Sequence, residues 1–547
     1  MQLALSFSTL LASVLVILSA TDSGVQAAPA KRARTITLPL TRLHQNRGDV
    51  HPQVLLQQHI NRSQRRIARM KGVAPPSKRD LEHNLAKRLF IPPGGRPGTI
   101  DVEKRFNRQG AKSSVSLVDE DDETPELESL AQHAGKAGKV VAAAKKGKGK
   151  GKGVKGAGNA NGNTGTGAAA AASNLTPAVT PTAANSLGLA IEAQDVGYIA
   201  TIQMGTPARD FNILMDSGSA DLWVGAENCQ SESGGDCGNH NFLGPQSSSS
   251  FKDLGKQFQV TYGTGNVQGD IIQDDISVAG LALPAHTFGV ATAESVDFSA
   301  DSVPFDGLMG LAQSVRVTHT FLAYRIRNYA CKPTSDSLIF SPAQTLSEQG
   351  VLTPVESLSK AGLIGDAITS FKISRLADDK NDGEVTFGGL DSSKFDAQTL
   401  VTFDNVATNG FWEGAMDSVT VDGTDTGLTG RSAILDTGTT LIVAPPADAA
   451  AVHKLIDGAQ DDGQGGFTIP CDTNASVALS FSGQQFAIDT RDLVFAQADN
   501  TGTTCISGIS SGQIVDDTTW LVGDVFLKNA YFSTDVTKNQ ISLAKLV

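Results

Sequence analysis

Aromatic residues are scarce in this chain, at 6% of 547 positions, and charged residues make up only 19%. That balance poorly suits a helical bundle or a nucleic-acid binder, whereas 56 glycines suit a soluble, turn-rich protein. The net charge of −12 argues against a general phosphate partner. Long apolar runs are also missing. Leu10–Leu18 is too short to cross a bilayer, and no later stretch reaches the ~20 apolar residues that a span requires. Only five cysteines are present.

The early apolar run is followed by small and polar residues ending in Val25-Gln-Ala27, which predicts a signal peptide over residues 1–27 and a protein outside the cytosol. An extracellular destination is expected, with the vacuole left open as the alternative. The C-terminal Leu543-Ala-Lys-Leu-Val547 reads as a plain strand end without a lipid-anchor signal.

Charge is unevenly distributed. Residues 31–105 hold 17 Lys and Arg against 5 acidic residues, and residues 189–547 hold 18 against 44. A basic leader over residues 28–133 therefore precedes an acidic body. A nucleic-acid arm would interleave aromatics with its charges, which this leader does not. A propeptide that pairs with carboxylates of the body at neutral pH, and lets go once acid protonates them, is the better reading. The dibasic pairs Lys78-Arg79, Lys87-Arg88 and Lys104-Arg105 are candidate processing points. Residues 134–188, Lys/Gly-rich, then Gly/Asn/Ala-rich, then Thr/Pro-rich, are expected to form a disordered linker.

From about Leu189 the texture changes to short β-type runs between turn residues, such as Tyr198–Met204, Phe211–Met215 and Phe258–Tyr262, which predicts an all-β body. The body also repeats itself. Ile213-Leu-Met-Asp-Ser-Gly-Ser219 returns as Ile434-Leu-Asp-Thr-Gly-Thr439, and each is followed by an apolar-apolar-Gly element, Leu308-Met-Gly310 and Leu521-Val-Gly523. Two related lobes are implied, over residues 189–390 and 391–547. Asp-Ser/Thr-Gly is a weak tripeptide that begins at Asp22, Asp216, Asp425 and Asp436. Asp22 falls in the signal region and Asp425 in a polar hairpin turn. Asp216 and Asp436 each follow an apolar strand and precede another apolar run, and Gly218 and Gly438 let backbone approach the carboxylates closely.

Together with Tyr262-Gly-Thr264, these motifs resemble the pepsin family of aspartic endopeptidases over about residues 190–547. The resemblance implies a bilobal all-β fold with a cleft between the lobes. It also implies hydrolysis of peptide bonds in proteins at acid pH by a water that Asp216 and Asp436 activate, without metal or other cofactor. Ser219 and Thr439 resemble the hydroxyls that bond the outer carboxylate oxygens. Tyr262, Gly263 and Thr264 resemble the tip of a flap over the substrate, and Trp223 the indole that holds the tyrosine. Absence of an Asp at position 264 points to apolar residues around the cut. Cys229 with Cys237, and Cys471 with Cys505, match two family disulfides, leaving Cys331 over. Of the sequons at Asn61, Asn174 and Asn474, only Asn474 falls in the expected mature body. The expected partners are protein and peptide substrates and the chain's own propeptide. No nucleic acid or membrane is expected, and the protein should be a monomer. A catalytically dead relative would replace one Asp or its glycine, and a carbohydrate-active enzyme would have no use for the matched turns.

Residues 315–344 read as a retained intron. Joining Ser314 to Thr345 restores continuity with the family and removes the unpaired Cys331, and codons for Val315-Arg316 and Gln344 can supply splice signals. A genuine surface loop is the alternative.

Overall fold

The computed structural model describes residues 36–43, 52–70, 175–176, 187–192 and 197–547, apart from 263–264, 302, 315–344, 379, 499–501, 513 and 515, together with single positions between 76 and 88. The suspected intron, including Cys331, therefore lies outside the described residues, as do Gly263 and Thr264. So do the signal region, the Lys78-Arg79 and Lys104-Arg105 pairs and Lys87.

Strands dominate the body, as the alternating runs predicted. In Arg209–Asp216 the side chains of Phe211, Ile213 and Met215 are buried while intervening ones are partly exposed, the two-residue period of a strand with one face on a core. This strand pairs in parallel with Gly307–Gly310, which in turn runs antiparallel to Leu222–Ser231. The second lobe repeats the arrangement: Arg431–Leu435 lies parallel to Thr519–Val522, which runs antiparallel to Ile442–Ala444. Each apolar-apolar-Gly element is thus the middle strand beside an Asp-bearing turn, which is the physical content of the sequence repeat. The fold is the all-β, bilobal pepsin-like one.

A long sheet joins the lobes. It carries strands from residues 197–310 at one end, and at the other the strands Ile368–Lys372, Glu384–Phe387, Val401–Asp404, Tyr531–Asp535 and Gln540–Ala544. The leader enters this sheet. Its strand Ile36–Leu43 lies antiparallel to Glu384–Phe387 and parallel to Leu187–Glu192, and so sits in the interior of this sheet. The linker expectation needs correcting here, because Leu175–Thr176 forms a short strand against Arg42 and Leu43, and Leu187 already begins the body's first strand. Threonine favours strands more than the Gly/Ala/Asn stretch before it does.

The leader then forms a helix, Pro52–Met70, opening on a proline whose missing N–H costs nothing at a first helical position. Leu56, Gln57, His59, Ile60, Ser63, Arg66, Ile67 and Ala68 are buried, and most recur at helical spacing as a stripe that faces the body. Leu56 and Ile60 join the main core, while Ile67 packs into a second-lobe cluster of Ile434, Val443, Ile514 and Leu521 beside Phe411.

Candidate active site

Asp216 ends its strand and Asp436 follows Leu435, the last residue of the equivalent strand; both are buried at the junction of the lobes. In each turn the hydroxyl three residues on donates to the carboxylate: Ser219 Oγ to Asp216 Oδ2 at 2.6 Å and Thr439 Oγ1 to Asp436 Oδ2 at 2.7 Å. The backbone N–H groups of Gly218 and Gly438 donate to the Oδ1 atoms, each at 2.9 Å. One oxygen of each carboxylate is thereby tied from behind by a hydroxyl.

The middle residues lock the two turns to each other. Ser217 N–H donates to Thr437 Oγ1, and Thr437 N–H donates to Ser217 Oγ, both at 2.9 Å. Each hydroxyl then donates across the lobe boundary, Ser217 to Leu435 O at 3.2 Å and Thr437 to Met215 O at 3.0 Å. This reciprocal lattice forces the carboxylates together. A side chain on Gly218 would sit 2.5 Å from Asp436 Oδ1, and one on Gly438 would strike Asp216 Oδ1. Both positions require glycine for approach to the opposite lobe's aspartate.

Over the first turn, Trp223 Nε1–H donates to the Tyr262 hydroxyl at 2.8 Å, and Phe298 packs edge-on against both rings at 5.4 and 5.6 Å. The indole therefore holds the tyrosine hydroxyl in place.

One essential neighbour was not read from the sequence. Arg66 of the leader helix places its guanidinium between the two aspartates. Nη2 pairs with Asp216 Oδ1 and bonds Asp436 Oδ1 at 2.6 Å, Nε pairs with Asp436 Oδ2, and Nη1 donates to Gly438 O at 3.1 Å. Burial works against charge on both carboxyls. At Asp216 the Arg66 charge and the Ser219 and Gly218 bonds outweigh it and hold the carboxyl below the ordinary carboxylate range. At Asp436 burial and the adjacent Asp216 charge prevail over Arg66 and push the carboxyl up. Two carboxyls this close are pushed apart in acidity, the arrangement that lets one serve as acid and the other as base.

A family model described as eukaryotic aspartyl protease matches residues 197–546. The chain belongs to that family. It is 35% identical over 368 residues to the protein named "Probable aspartic-type endopeptidase CTSD" in Arthroderma benhamiae, a match covering 67% of this chain and 64% of the relative. The aspartic-type endopeptidase ctsD of Aspergillus fumigatus is 32% identical over 365 residues, covering 66% of this chain and 69% of the relative. Pepsin A of Sus scrofa is 29% identical over 358 residues, covering 64% of this chain and 81% of pepsin. The chain thus matches just under two thirds of the length of the first of these relatives.

The two disulfides implied by the family resemblance are formed, Cys229–Cys237 and Cys471–Cys505, closing one loop in each lobe. Such cross-links stabilise chiefly by restricting the unfolded chain. Asn474 is exposed. Asn61 lies in the leader helix, where its side chain donates to Leu81 O at 3.3 Å and accepts from Gln57 at 2.8 Å. The family's aspartates announce themselves through local turn motifs. Arg66 has none, and the signal available was a helix-period stripe carrying a basic residue inside an acid-poor leader.

Proposed function

We propose that this chain is the inactive precursor of an aspartic endopeptidase that hydrolyses peptide bonds in proteins at acid pH. The observation that carries the proposal is the pair of buried carboxyls on matched turns with the leader's guanidinium seated between them. With Arg66 in place, neither the nucleophilic water nor a scissile carbonyl can enter. Acidification protonates Asp436 first, because its carboxyl already stands higher, and so weakens one of the two ion pairs that hold Arg66. The same proton prepares the reaction. Once Arg66 has gone, the ionised partner takes a proton from water attacking the carbonyl, while the protonated one donates to the developing oxyanion.

Preference for apolar residues around the cut follows from the cleft walls. Next to Arg66, Ile67 fills the pocket of Ile434, Val443, Ile514 and Leu521, and Phe298 lies under the flap tyrosine on the other lobe. The chain's own leader is the inhibitor, the working protein is a secreted monomer, and Asn474 is its glycosylation point. The acid-treated chain should digest denatured globin, and pepstatin should stop it. Asp216→Asn and Asp436→Asn should each abolish activity while retaining the cooperative melt of the parent. Full activity in either variant would overturn the assignment.

A further inference from the structure

Arg88 belongs to one of the three dibasic pairs read as candidate processing points, yet its side chain is only 3% exposed. Its guanidinium is held by the second-lobe loop 462–466 rather than by Asp216 or Asp436. Nη1 pairs with Asp462 Oδ2, and Nη2 donates to Gln464 O at 2.8 Å. From the leader helix, Gln57 accepts from Nε, and Gln53 accepts from Nη1 at 3.4 Å. The loop is built for this guest. Asp462 Oδ1 accepts the N–H groups of Gln464 at 2.7 Å and Gly466 at 2.9 Å, which fixes the carboxylate with Oδ2 facing Arg88. A side chain on Gly466 would collide with Asp462 and come within 2.9 Å of Leu56 and 3.0 Å of Arg88.

We infer that loop 462–466 is an arginine-binding site whose occupation by Arg88 forms a second latch on the leader and withholds Lys87-Arg88 from dibasic-specific processing until the latch opens. The inference rests on the reading of the leader as inhibitor. A processing endoprotease that hydrolyses the Arg88–Leu89 bond, adding one water to leave a carboxylate on Arg88 and an amine on Leu89, must take the Arg88 guanidinium into its own acidic pocket. That guanidinium is already committed to Asp462. Cleavage then follows the fraction of molecules in which the latch is open, and the charged pair with Asp462 together with the bond to Gln464 O makes that fraction small.

The test uses the full chain at neutral pH, with pepstatin present to silence self-cleavage, and an endoprotease specific for dibasic pairs. New N-termini are followed by mass spectrometry. Cutting after Arg88 should be at least roughly tenfold slower in the native chain than in the urea-unfolded chain. Asp462→Asn, which removes the charge, and Gly466→Ala, which crowds the site without changing charge, should each restore most of that rate. If either variant fails to fold, the other still decides. Equal rates in native and unfolded wild type, or slow cutting that persists in a folded variant, would overturn the latch. Peptidase activity of the untreated full chain, assayed separately without pepstatin at neutral pH, tests the underlying reading. Activity equal to the processed enzyme would defeat leader inhibition, whereas an inactive precursor readily cut after Arg88 would defeat only the latch.

Discussion

The two carboxyls proposed as catalytic could be read from sequence because their setting is local: an apolar strand, a three-residue turn and a second apolar run occur twice with the same glycine. Trp223 and Tyr262, 39 positions apart, were reachable only through the family resemblance, and their 2.8 Å bond is a tertiary fact. Trp223→Phe keeps the ring packing and removes the donor. It should lower kcat/KM for a peptide substrate roughly 2–10-fold, the scale of one neutral hydrogen bond, and leave the melting temperature within a few degrees. Steady-state kinetics alongside calorimetry would check it. An unchanged kcat/KM would show that packing against Phe298 alone holds the flap tyrosine. The glycine turns are less forgiving. Gly218→Ala has to push the opposite aspartate away, so it should destabilise the fold by about 1–3 kcal/mol and cost activity beyond that. A denaturation midpoint equal to the parent's would contradict that close approach.

At the scale of elements, the β texture and the lobe repeat were legible because period-2 burial and turn residues leave marks along the chain. The leader's structure was less so. Its basic charge predicted a pairing role, but nothing local says that Ile36–Leu43 enters the long sheet between Glu384–Phe387 and Leu187–Glu192 or that Leu175–Thr176 pairs with it, since strand pairing across such separations is decided by the partner. The helix Pro52–Met70 carries Arg62, Arg65, Arg66 and Arg69 and no acidic residue to form stabilising i,i+4 pairs. Its order comes from the body: Leu56, Ile60 and Ile67 in apolar contacts, His59 edge-on to Phe495 at 5.2 Å, and Arg65 paired with Asp297 at 3.7 Å. A synthetic peptide of residues 52–70 should therefore show little helix by circular dichroism in water, as short isolated helices do. In the intact precursor at neutral pH, the same amides should resist hydrogen exchange and lose that protection in acid. A strongly helical free peptide would mean that the leader is preformed rather than moulded by the cleft.

For the whole molecule, the division into a basic leader and an acidic body gave the expectation of a state that depends on pH, but the buried groups that bear on stability could not be identified before folding placed them. Burial, with the nearby Asp306 charge adding to it, pushes the Glu294 carboxyl up to about 8 from 4.5. Burial also raises Glu384 to about 7, although Lys394 at 3.1 Å opposes it. A carboxyl raised on folding contributes stability that is intact below its unfolded value and is lost as pH climbs through the folded one. These two groups therefore weaken the fold progressively from about pH 4.5 to pH 8. The histidines act in the opposite direction. Burial lowers both His286 and His453 to about 4 from 6.5. His453 stacks on Phe467 at 3.9 Å and engages Ala449 O at 2.7 Å and Ser507 Oγ at 2.8 Å, so that Nδ1–H donates to the carbonyl and Nε2 accepts the hydroxyl. A histidine lowered on folding contributes stability that is intact above its unfolded value and is lost as pH falls through the folded one, here from 6.5 towards 4. Each tenfold change in proton affinity on folding is worth about 1.4 kcal/mol at most, so the two sets should bound a stability maximum between about pH 4.5 and 6.5. Calorimetry of the processed enzyme across pH 3.5–8.5 should show that maximum, with Glu294→Gln flattening the alkaline limb and His453→Asn the acid limb (roughly, as single-site linkage requires). An alkaline slope the same in Glu294→Gln as in the parent would place the sensitivity in other groups.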